Sequence, residues 1–179
     1  ILVVHFAGSP CEMDAIISIA QRHHLKIIED CAHAIETEYH GKKAGTMGDL
    51  GCFSFYSTKN ITTGEGGMVI SQNPELIQSI KVMALHGLNA DAWQRFSDKG
   101  YKHYLMTHIG FKYNMMDLQA AIGIHQLNKV NRFWKRRAQI WKFYQDRLKH
   151  LPVFLPTQAG DDIKHGYHLF TLRINPEAT

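Results

Sequence analysis

Residues 1–30, ILVVHFAGSPCEMDAIISIAQRHHLKIIED, decide the fold class. The run ILVVHF is short, continuous and apolar, which predicts a fully buried strand, and a Gly-Ser-Pro turn follows it. From Cys11 to His24 apolar side chains recur at three- and four-residue spacing, which predicts a helix, and LKIIED predicts a second buried strand. A strand, a helix and a strand within about thirty residues form a βαβ unit with parallel strands. The chain is therefore predicted to have α/β architecture.

Two further strands are predicted after this unit. A polar, glycine-rich passage, GKKAGTMGD, leads to the strand candidates GCFSFY (51–56) and GGMVIS (66–71). The loop between them, STKNITTGEG, is rich in small and hydroxylated residues.

Helical periodicity dominates the second half of the chain. A helix is predicted from Pro74 to about Leu85, with the proline in its first turn, and residues 86–113 are irregular and aromatic. The strongest helical pattern runs from Met116 to Leu151. Glycine and asparagine weaken its middle, so we expect two helices or one bent helix.

Composition limits the classes of protein. The chain has 179 residues, of which 45% are hydrophobic and 20% charged, enough for an ordinary buried core. Its formal charge of +4 is too mild to indicate a nucleic acid or an anionic membrane as partner. We expect a soluble, cytoplasmic protein, because no apolar run approaches the roughly 18 residues of a membrane helix and no secretory signal is evident. The three cysteines, Cys11, Cys31 and Cys52, predict reduced, buried thiols.

Candidate catalytic residues gather after the predicted strands. Asp30 stands at the carboxyl end of LKIIED, where ligands collect in parallel sheets, and Lys59 lies among hydroxyl groups in the loop. Such a lysine can form a Schiff base with pyridoxal phosphate, and an aspartate can hold the proton on the pyridine nitrogen. Ser54, Ser57 and Thr58, with nearby backbone amides, offer donors for the phosphate.

Three segments resemble a known family. EDCAHA (29–34), GDLGCFSFYSTKNITTGEGGMV (48–69) and GFKYNMMDLQAAIGIHQL (110–127) are similar to the DegT/DnrJ/EryC1/StrS family of pyridoxal-phosphate-dependent sugar aminotransferases. The resemblance runs in the family's order from residue 1 to about residue 174. The middle segment is highly specific.

The resemblance implies a role for each site residue. Lys59 matches the lysine that holds the cofactor as a Schiff base and then moves the proton between substrate and cofactor. Asp30 matches the acid on the pyridine nitrogen, and His33 occupies the place beside the ring. Ser54 matches the phosphate-binding serine, and Asn114 matches an asparagine that reaches the phosphate of the neighbouring subunit's cofactor.

For each of these residues, the residue type alone leaves an ordinary structural explanation open. Lys59 would then be a solvated loop lysine, Asp30 a helix cap, and Ser54 a side chain facing a neighbouring strand. His33 would be a buried histidine bonded to backbone, and Asn114 a turn residue.

The resemblance also implies the architecture and the assembly. The family has the type I aminotransferase fold, so residues 1–115 are expected to belong to a large mixed-sheet domain. Residues 116–179 would supply the linking helices and the start of a smaller carboxyl-terminal α+β domain. Because family members are roughly twice this length, the chain is expected to be an internal fragment, inactive in isolation. The role of Asn114 implies a homodimer with shared active sites.

The activity that the resemblance implies is transfer of an amino group from glutamate to a nucleotide-linked keto-deoxysugar. The products of such enzymes feed bacterial surface glycans, including lipopolysaccharide, or sugars of natural products. A truncated or degenerate relative that serves as a non-catalytic binding or regulatory module is the alternative. We expect no metal, since no HExxH motif is present. We expect no nucleic acid either, because the basic run from Lys129 to Arg137 fits the solvated face of a helix.

Overall fold

The computed structural model describes residues 1–88 and 104–176. The helices in these ranges are α1 (Met13–Arg22), α2 (Pro74–Ala84), α3 (Asp117–Leu127) and α4 (Val130–Leu148). The strands are β1 (Leu2–Val4), β2 (Ile28–Asp30), β3 (Glu38–Tyr39), β4 (Lys42–Lys43), β5 (Leu50–Ser54), β6 (Gly67–Ile70), β7 (Val153–Phe154), β8 (Ile163–Lys164) and β9 (Arg173–Ile174). Most of the segment predicted to be irregular, 86–113, lies outside the described residues.

The main sheet has the strand order β1-β2-β5-β6. β1 and β2 are parallel and joined by α1, which confirms the predicted βαβ unit. β5 lies parallel to β2, with Asp30 paired to Cys52, and β6 is antiparallel to β5. The carboxyl ends of β1, β2 and β5 therefore meet at one edge of the sheet.

The prediction that ILVVHF is fully buried was wrong. Val3 and His5 are buried, whereas Leu2 and Val4 are 65% and 44% exposed. β1 is an edge strand in this sheet, and successive side chains of a strand point to opposite faces. Only one face of β1 packs against α1 and its neighbours.

The core lies between the main sheet and α1. Met13 and Ala20 of α1 pack against Val3 and Ile27, together with Tyr39 of β3. Met13 is fully buried, which fits its place at the start of the apolar stripe of α1. This cluster fixes α1 across β1 and β2.

A second sheet joins distant parts of the chain. β3 pairs with β4 in a short hairpin and with β8 on its other side, both antiparallel. Gly166, just after β8, donates its N–H to the carbonyl of Gly8 at 2.7 Å. A Cβ atom on Gly8 would lie 2.9 Å from Gly166 Cα, so glycine is required at this close approach. The segment after β8 is thereby held against the loop after β1.

The long helical region forms two helices, as one of the two expectations had it. α3 and α4 are separated by Asn128 and Lys129. Trp141 of α4 is buried and packs its ring against His165, Tyr167 and Phe170, with centroids 4.7 to 5.2 Å apart. α4 therefore holds the segment 165–170 in place. The division of the chain into two domains at residue 115 stays a prediction.

The three cysteines are free thiols, as expected, but only Cys31 is buried, so the expected burial of Cys11 and Cys52 was wrong. Burial raises the pKa of the Cys31 thiol, which therefore stays protonated. No helix in the described ranges has the length and apolar character that crossing a bilayer requires.

Candidate active site

The candidate site lies at the edge where the parallel strands end. His5 follows β1, Asp30 ends β2 and Ser54 ends β5. Lys59 lies in a turn five residues beyond Ser54, and its N–H donates to the carbonyl of Tyr56 at 3.0 Å. Carboxyl ends of neighbouring parallel strands are where α/β sheets bind ligands.

Asp30 is half-buried and has one carboxylate oxygen in use. Its Oδ1 accepts the N–H of Ala32 at 2.9 Å, which orients the carboxyl group. No hydrogen bond or ion pair within residues 1–88 and 104–176 engages Oδ2. Because a carboxylate oxygen prefers a donor when it is shielded from water, this oxygen is available to a ligand N–H.

His33 lies beside Lys59 and Asp30, and its ring is held from two sides. Nδ1 accepts the N–H of Ala7 at 3.2 Å, so this nitrogen carries no proton. The ring stacks on that of His168, with centroids 4.3 Å apart and planes 26° apart. Burial lowers the pKa of His33, the positive charge of Lys59 lowers it further, and the carboxylate of Asp30 opposes both.

Ser54 and Lys59 also offer unused polar groups. Ser54 Oγ accepts the N–H of Tyr56 at 3.4 Å, which leaves its hydroxyl proton for another acceptor. Lys59 is half-buried, and its Nζ makes no hydrogen bond or ion pair with the described part of the chain. Ser54, Lys59 and Asp30 thus present a donor, an amine and an acceptor at one edge of the sheet.

Asn114 is separate from this group. It follows the isolated bridge between Leu85 and Lys112, and its Oδ1 accepts a hydrogen bond from Lys112 Nζ. No hydrogen bond or ring contact in the described ranges joins it to Asp30, His33 or Lys59. The structure brings Asp30, His33 and Lys59 close enough to act on one another electrostatically and ends β5 at Ser54 beside the end of β2. It shows no contact between Asn114 and these residues in the described ranges.

The groups present fit pyridoxal phosphate. The cofactor needs an amine for its aldehyde, an acid for its ring nitrogen, a flat group near its ring and donors for its phosphate. Lys59 Nζ is such an amine, Asp30 Oδ2 belongs to such an acid, His33 is such a flat group, and the Ser54 hydroxyl is such a donor. Lys59 Nζ, Asp30 Oδ2 and the Ser54 hydroxyl each have a hydrogen-bonding position that the described residues do not use. The arrangement suits a carbonyl-reactive amine.

A buried carboxylate lies directly before Asp30 in β2. Glu29 is fully buried and accepts hydrogen bonds from His5 Nε2 at 2.9 Å and from the N–H groups of Gly45, Met47 and Gly48 at 2.6 to 2.8 Å. Burial favours a raised pKa, but these donors outweigh it and the pKa of Glu29 lies below its ordinary value. Glu29 thereby fixes the loop between β4 and β5.

His5, Glu29 and Cys31 have ligand atoms within 4.8 Å of one another, the spacing of a metal site. Here Glu29 is already satisfied by four donors, and His5 Nδ1 accepts the N–H of Cys11 at 3.1 Å. The hydrogen bonds of both residues explain the cluster without an ion, so it gives no support for a metal.

Sequence reasoning missed a polar cluster behind the site. Asn60 Nδ2 donates to Glu36 Oε2 at 2.5 Å, and Asn60 Oδ1 lies 2.6 Å from His168 Nδ1. Glu36, which is buried, also forms an ion pair with the half-buried Arg137 of α4. Asn60 follows Lys59 directly, and this position is the one local signal for it. Nothing local marks His168 and Arg137, which lie 108 and 101 residues away along the chain from their partners.

Comparison with known proteins gives consistent results. The model of the DegT/DnrJ/EryC1/StrS aminotransferase family matches residues 1–179. The uncharacterized protein MJ1066 of Methanocaldococcus jannaschii is 50% identical over 175 residues, covering 98% of this chain and 45% of that protein. The spore coat polysaccharide biosynthesis protein SpsC of Bacillus subtilis is 43% identical over 175 residues, with the same coverage of 98% and 45%.

Solved structures share the fold. Helicobacter pylori PseC, an aminotransferase involved in the biosynthesis of pseudoaminic acid, superimposes with a TM-score of 0.87 at 27% identity, over 98% of this chain and 45% of PseC. The PMP form of Spr1654 from Streptococcus pneumoniae gives 0.87 at 25% identity, over 98% of this chain and 47% of that one. These likenesses confirm the predicted fold class. The chain spans less than half the length of the relatives it matches.

Proposed function

The chain belongs to the DegT/DnrJ/EryC1/StrS aminotransferase family, and from this premise we propose that it is part of a pyridoxal-phosphate-dependent sugar aminotransferase. The amino donor is glutamate, and the acceptor is a nucleotide-linked keto-deoxysugar. The observation that carries the proposal is the grouping of Lys59, Asp30 and Ser54, each with an unused polar group, at the ends of β2 and β5.

Each of these residues has a defined task. When bound, pyridoxal phosphate supplies an electron sink for the negative charge that develops as the substrate loses a proton from carbon. Lys59 Nζ anchors the cofactor and then carries the proton between donor and acceptor carbons. Asp30 Oδ2 holds a proton on the ring nitrogen, and the Ser54 hydroxyl donates to the phosphate.

His33 would lie against the face of the cofactor ring. Its contact with Ala7 keeps Nδ1 unprotonated, and its lowered pKa keeps the ring uncharged at neutral pH. An uncharged ring there adds no positive charge beside Lys59. The ring of Phe6 lies 5.8 Å from that of His33.

The cofactor and the pathway have support from relatives. Spr1654 was solved in a PMP form, and PMP is the aminated counterpart of pyridoxal phosphate. PseC acts in the biosynthesis of pseudoaminic acid, and SpsC in that of a spore coat polysaccharide. We place this protein in the same kind of biosynthesis, in the cytoplasm, where activated sugars are made.

The active form is proposed to be a homodimer in which Asn114 serves the phosphate of the partner's cofactor. The described part of the chain shows no contact between Asn114 and Lys59, which is compatible with this assignment. An apolar surface around Asn114 supports it: Ile109, Tyr113 and Leu118 are 93%, 74% and 76% exposed. Apolar surface of this extent is typical of a protein interface.

The first experiment is borohydride reduction of the full-length protein, followed by peptide mapping. We expect a pyridoxyl group on Lys59 and none in the Lys59→Ala variant. Lys42→Ala, which removes an exposed lysine of β4, is the matched control and should keep the adduct. Absence of any adduct in the unaltered protein would favour the non-catalytic alternative.

The donor is tested by the half-reaction. Glutamate added without an acceptor should release one equivalent of 2-oxoglutarate per site as its amino group passes to the cofactor. The nucleotide-linked ketosugar should then discharge that amino group. Release of product from another amino acid but not from glutamate would contradict the assigned donor.

A further inference from the structure

We propose that Asn60 is a positioning residue that fixes the backbone of Lys59 and, through His168, the ring of His33. The inference rests on the proposed function in one respect, namely that Lys59 is the cofactor lysine. The contacts themselves are independent of it. They join the segments around residues 36, 60, 137 and 168 behind the site.

The side-chain amide of Asn60 has a single possible orientation. Its Nδ2 faces two acceptors, Glu36 Oε2 at 2.5 Å and the carbonyl of Gly166 at 3.3 Å. Its Oδ1 therefore faces His168 Nδ1 at 2.6 Å and accepts a hydrogen bond from the N–H of that ring nitrogen. Because all three contacts are made by one short side chain, Asn60 has little freedom to move, and Lys59 is bonded to it covalently.

The far side of this cluster is charged and buried. Glu36 is 3% exposed and pairs with Arg137 of α4. Arg137 Nε also donates to the carbonyl of Gly166 at 3.4 Å. A buried carboxylate is tolerated only with such partners, so Glu36 is held in place and in turn holds Asn60.

The near side of the cluster reaches the candidate site. The Nδ1–H of His168 donates a hydrogen bond to Asn60 Oδ1. The backbone N–H of His168 donates one to the carbonyl of Ala7 at 3.0 Å. Ala7 gives its own N–H to His33 Nδ1 at 3.2 Å. The ring of His33 and the backbone of His168 are thus both bonded to Ala7, while the ring of His168 is bonded to Asn60 and stacked on His33, so a shift of Asn60 acts on His33 through His168.

The stacked pair also stays uncharged. Burial first, then repulsion by His33 whenever it is protonated and by the cations of Lys59 and Arg137, lower the pKa of His168 to about 4. Because its Nδ1 bears the proton, its Nε2 keeps a lone pair on the side away from Asn60. The network therefore places Lys59 next to uncharged rings. The guanidinium of Arg137 in α4 is paired with the carboxylate of Glu36.

The test uses Asn60→Ala and the matched control Asn73→Ala in the full-length protein. Asn73 caps α2 by accepting the N–H groups of Glu75 and Leu76, so its loss also removes side-chain hydrogen bonds but far from the site. In the protein freed of cofactor, Asn60→Ala should speed amide hydrogen exchange in residues 57–61 about tenfold or more. Asn73→Ala should leave that segment unchanged.

The second measurement uses the enzyme with its cofactor bound. Asn60→Ala should keep the pyridoxyl adduct on Lys59, lower kcat about tenfold to a hundredfold with little change in KM, and shift the pH midpoint of the cofactor absorbance. A merely structural role would lower the thermal midpoint and move neither the absorbance midpoint nor kcat. Unchanged exchange and an unchanged absorbance midpoint in Asn60→Ala would overturn the proposal.

Failure of the two proposals is distinguishable. If the unaltered protein forms no adduct on Lys59, the proposed function fails, and the exchange experiment still decides whether Asn60 fixes the segment. Asn60→Asp adds a third reading in the cofactor-free protein. A carboxylate facing the Nδ1 proton should raise the pKa of His168 by about 1 to 3 units, seen by NMR of its ring. No change would contradict the assigned contact.

Discussion

The imidazole rings of His33 and His168 lie nearly parallel, with centroids 4.3 Å apart and an interplanar angle of 26°. They belong to segments that are far apart in the chain, yet one of them flanks the candidate cofactor lysine. Both rings have lowered pKa values, so neither repels the other at neutral pH. A parallel contact of this kind is stable only while at least one ring is uncharged.

The first prediction concerns stability at acid pH. Burial lowers the pKa of His165 to about 4, and burial with neighbouring cations lowers that of His168 to about 4. Unfolded histidine titrates near 6.5, so below that pH the unfolded state binds more protons. The stabilisation is complete above about pH 6.5 and is lost as the pH falls toward 4.

This dependence is measured by urea unfolding at pH 7, 6 and 5. His165→Asn should make the free energy of unfolding less dependent on pH in this window, since one titrating group is removed. His23→Asn, at an exposed position, is the control and should leave the slope unchanged. A slope that His165→Asn does not alter would contradict the assignment.

The second prediction concerns Glu29. Glu29→Gln replaces one of the two accepting oxygens with an NH2 group, so either Met47 and Gly48 (on Oε1) or His5 and Gly45 (on Oε2) lose their acceptor and face a donor instead. We expect a loss of about 3 kcal/mol in the free energy of unfolding. Glu38→Gln, which removes a surface carboxylate paired with Lys43 and Lys164, should cost less than about 1 kcal/mol. Equal losses of the free energy of unfolding in the two variants, measured by urea unfolding, would show that burial of Glu29 does not increase its contribution to stability.

The third prediction concerns Asp30. Asp30→Asn removes the charge that holds a proton on the cofactor's ring nitrogen but keeps the acceptor for the N–H of Ala32. We expect kcat to fall by about 10²- to 10⁴-fold with the thermal midpoint nearly unchanged. Asp14→Asn, at a side chain that is 70% exposed, is the control and should be fully active. An active Asp30→Asn variant would remove the role assigned to this residue.

The fourth prediction concerns the shared active site. Lys59→Ala and Asn114→Ala should each give an inactive or weakly active homodimer of the full-length protein. In a mixed dimer, one site combines an intact Lys59 with an intact Asn114 from the other subunit. Unfolding and refolding an equal mixture should therefore restore about a quarter of the sites, because half of the dimers are mixed and each holds one intact site. No recovery of activity, with sedimentation showing dimers, would place Asn114 outside the partner's site.

The local sequence foretold the helices and the main strands well. The βαβ unit, the two strands β5 and β6, and the boundaries of α2 were predicted because apolar periodicity and proline act over a few residues. The antiparallel pairing of β5 with β6 came only from the structure. The short hairpin of β3 and β4 was missed, since two-residue strands carry no periodicity. The full burial expected for β1 was wrong, because an apolar run does not tell how many faces of a strand are covered.

By itself the sequence determined the α/β class, the resemblance to an aminotransferase family and the positions of Lys59, Asp30, His33 and Ser54 as candidates. Only the tertiary structure decided which side chains contact one another around these candidates. Glu36 meets Arg137, and Asn60 meets His168, across separations of 101 and 108 residues. Such pairs leave no local pattern, since they form only when β8 pairs with β3 and Trp141 packs the following segment against α4. The long-range packing of the chain, and not the spacing of its residues, sets the environment of the candidate lysine.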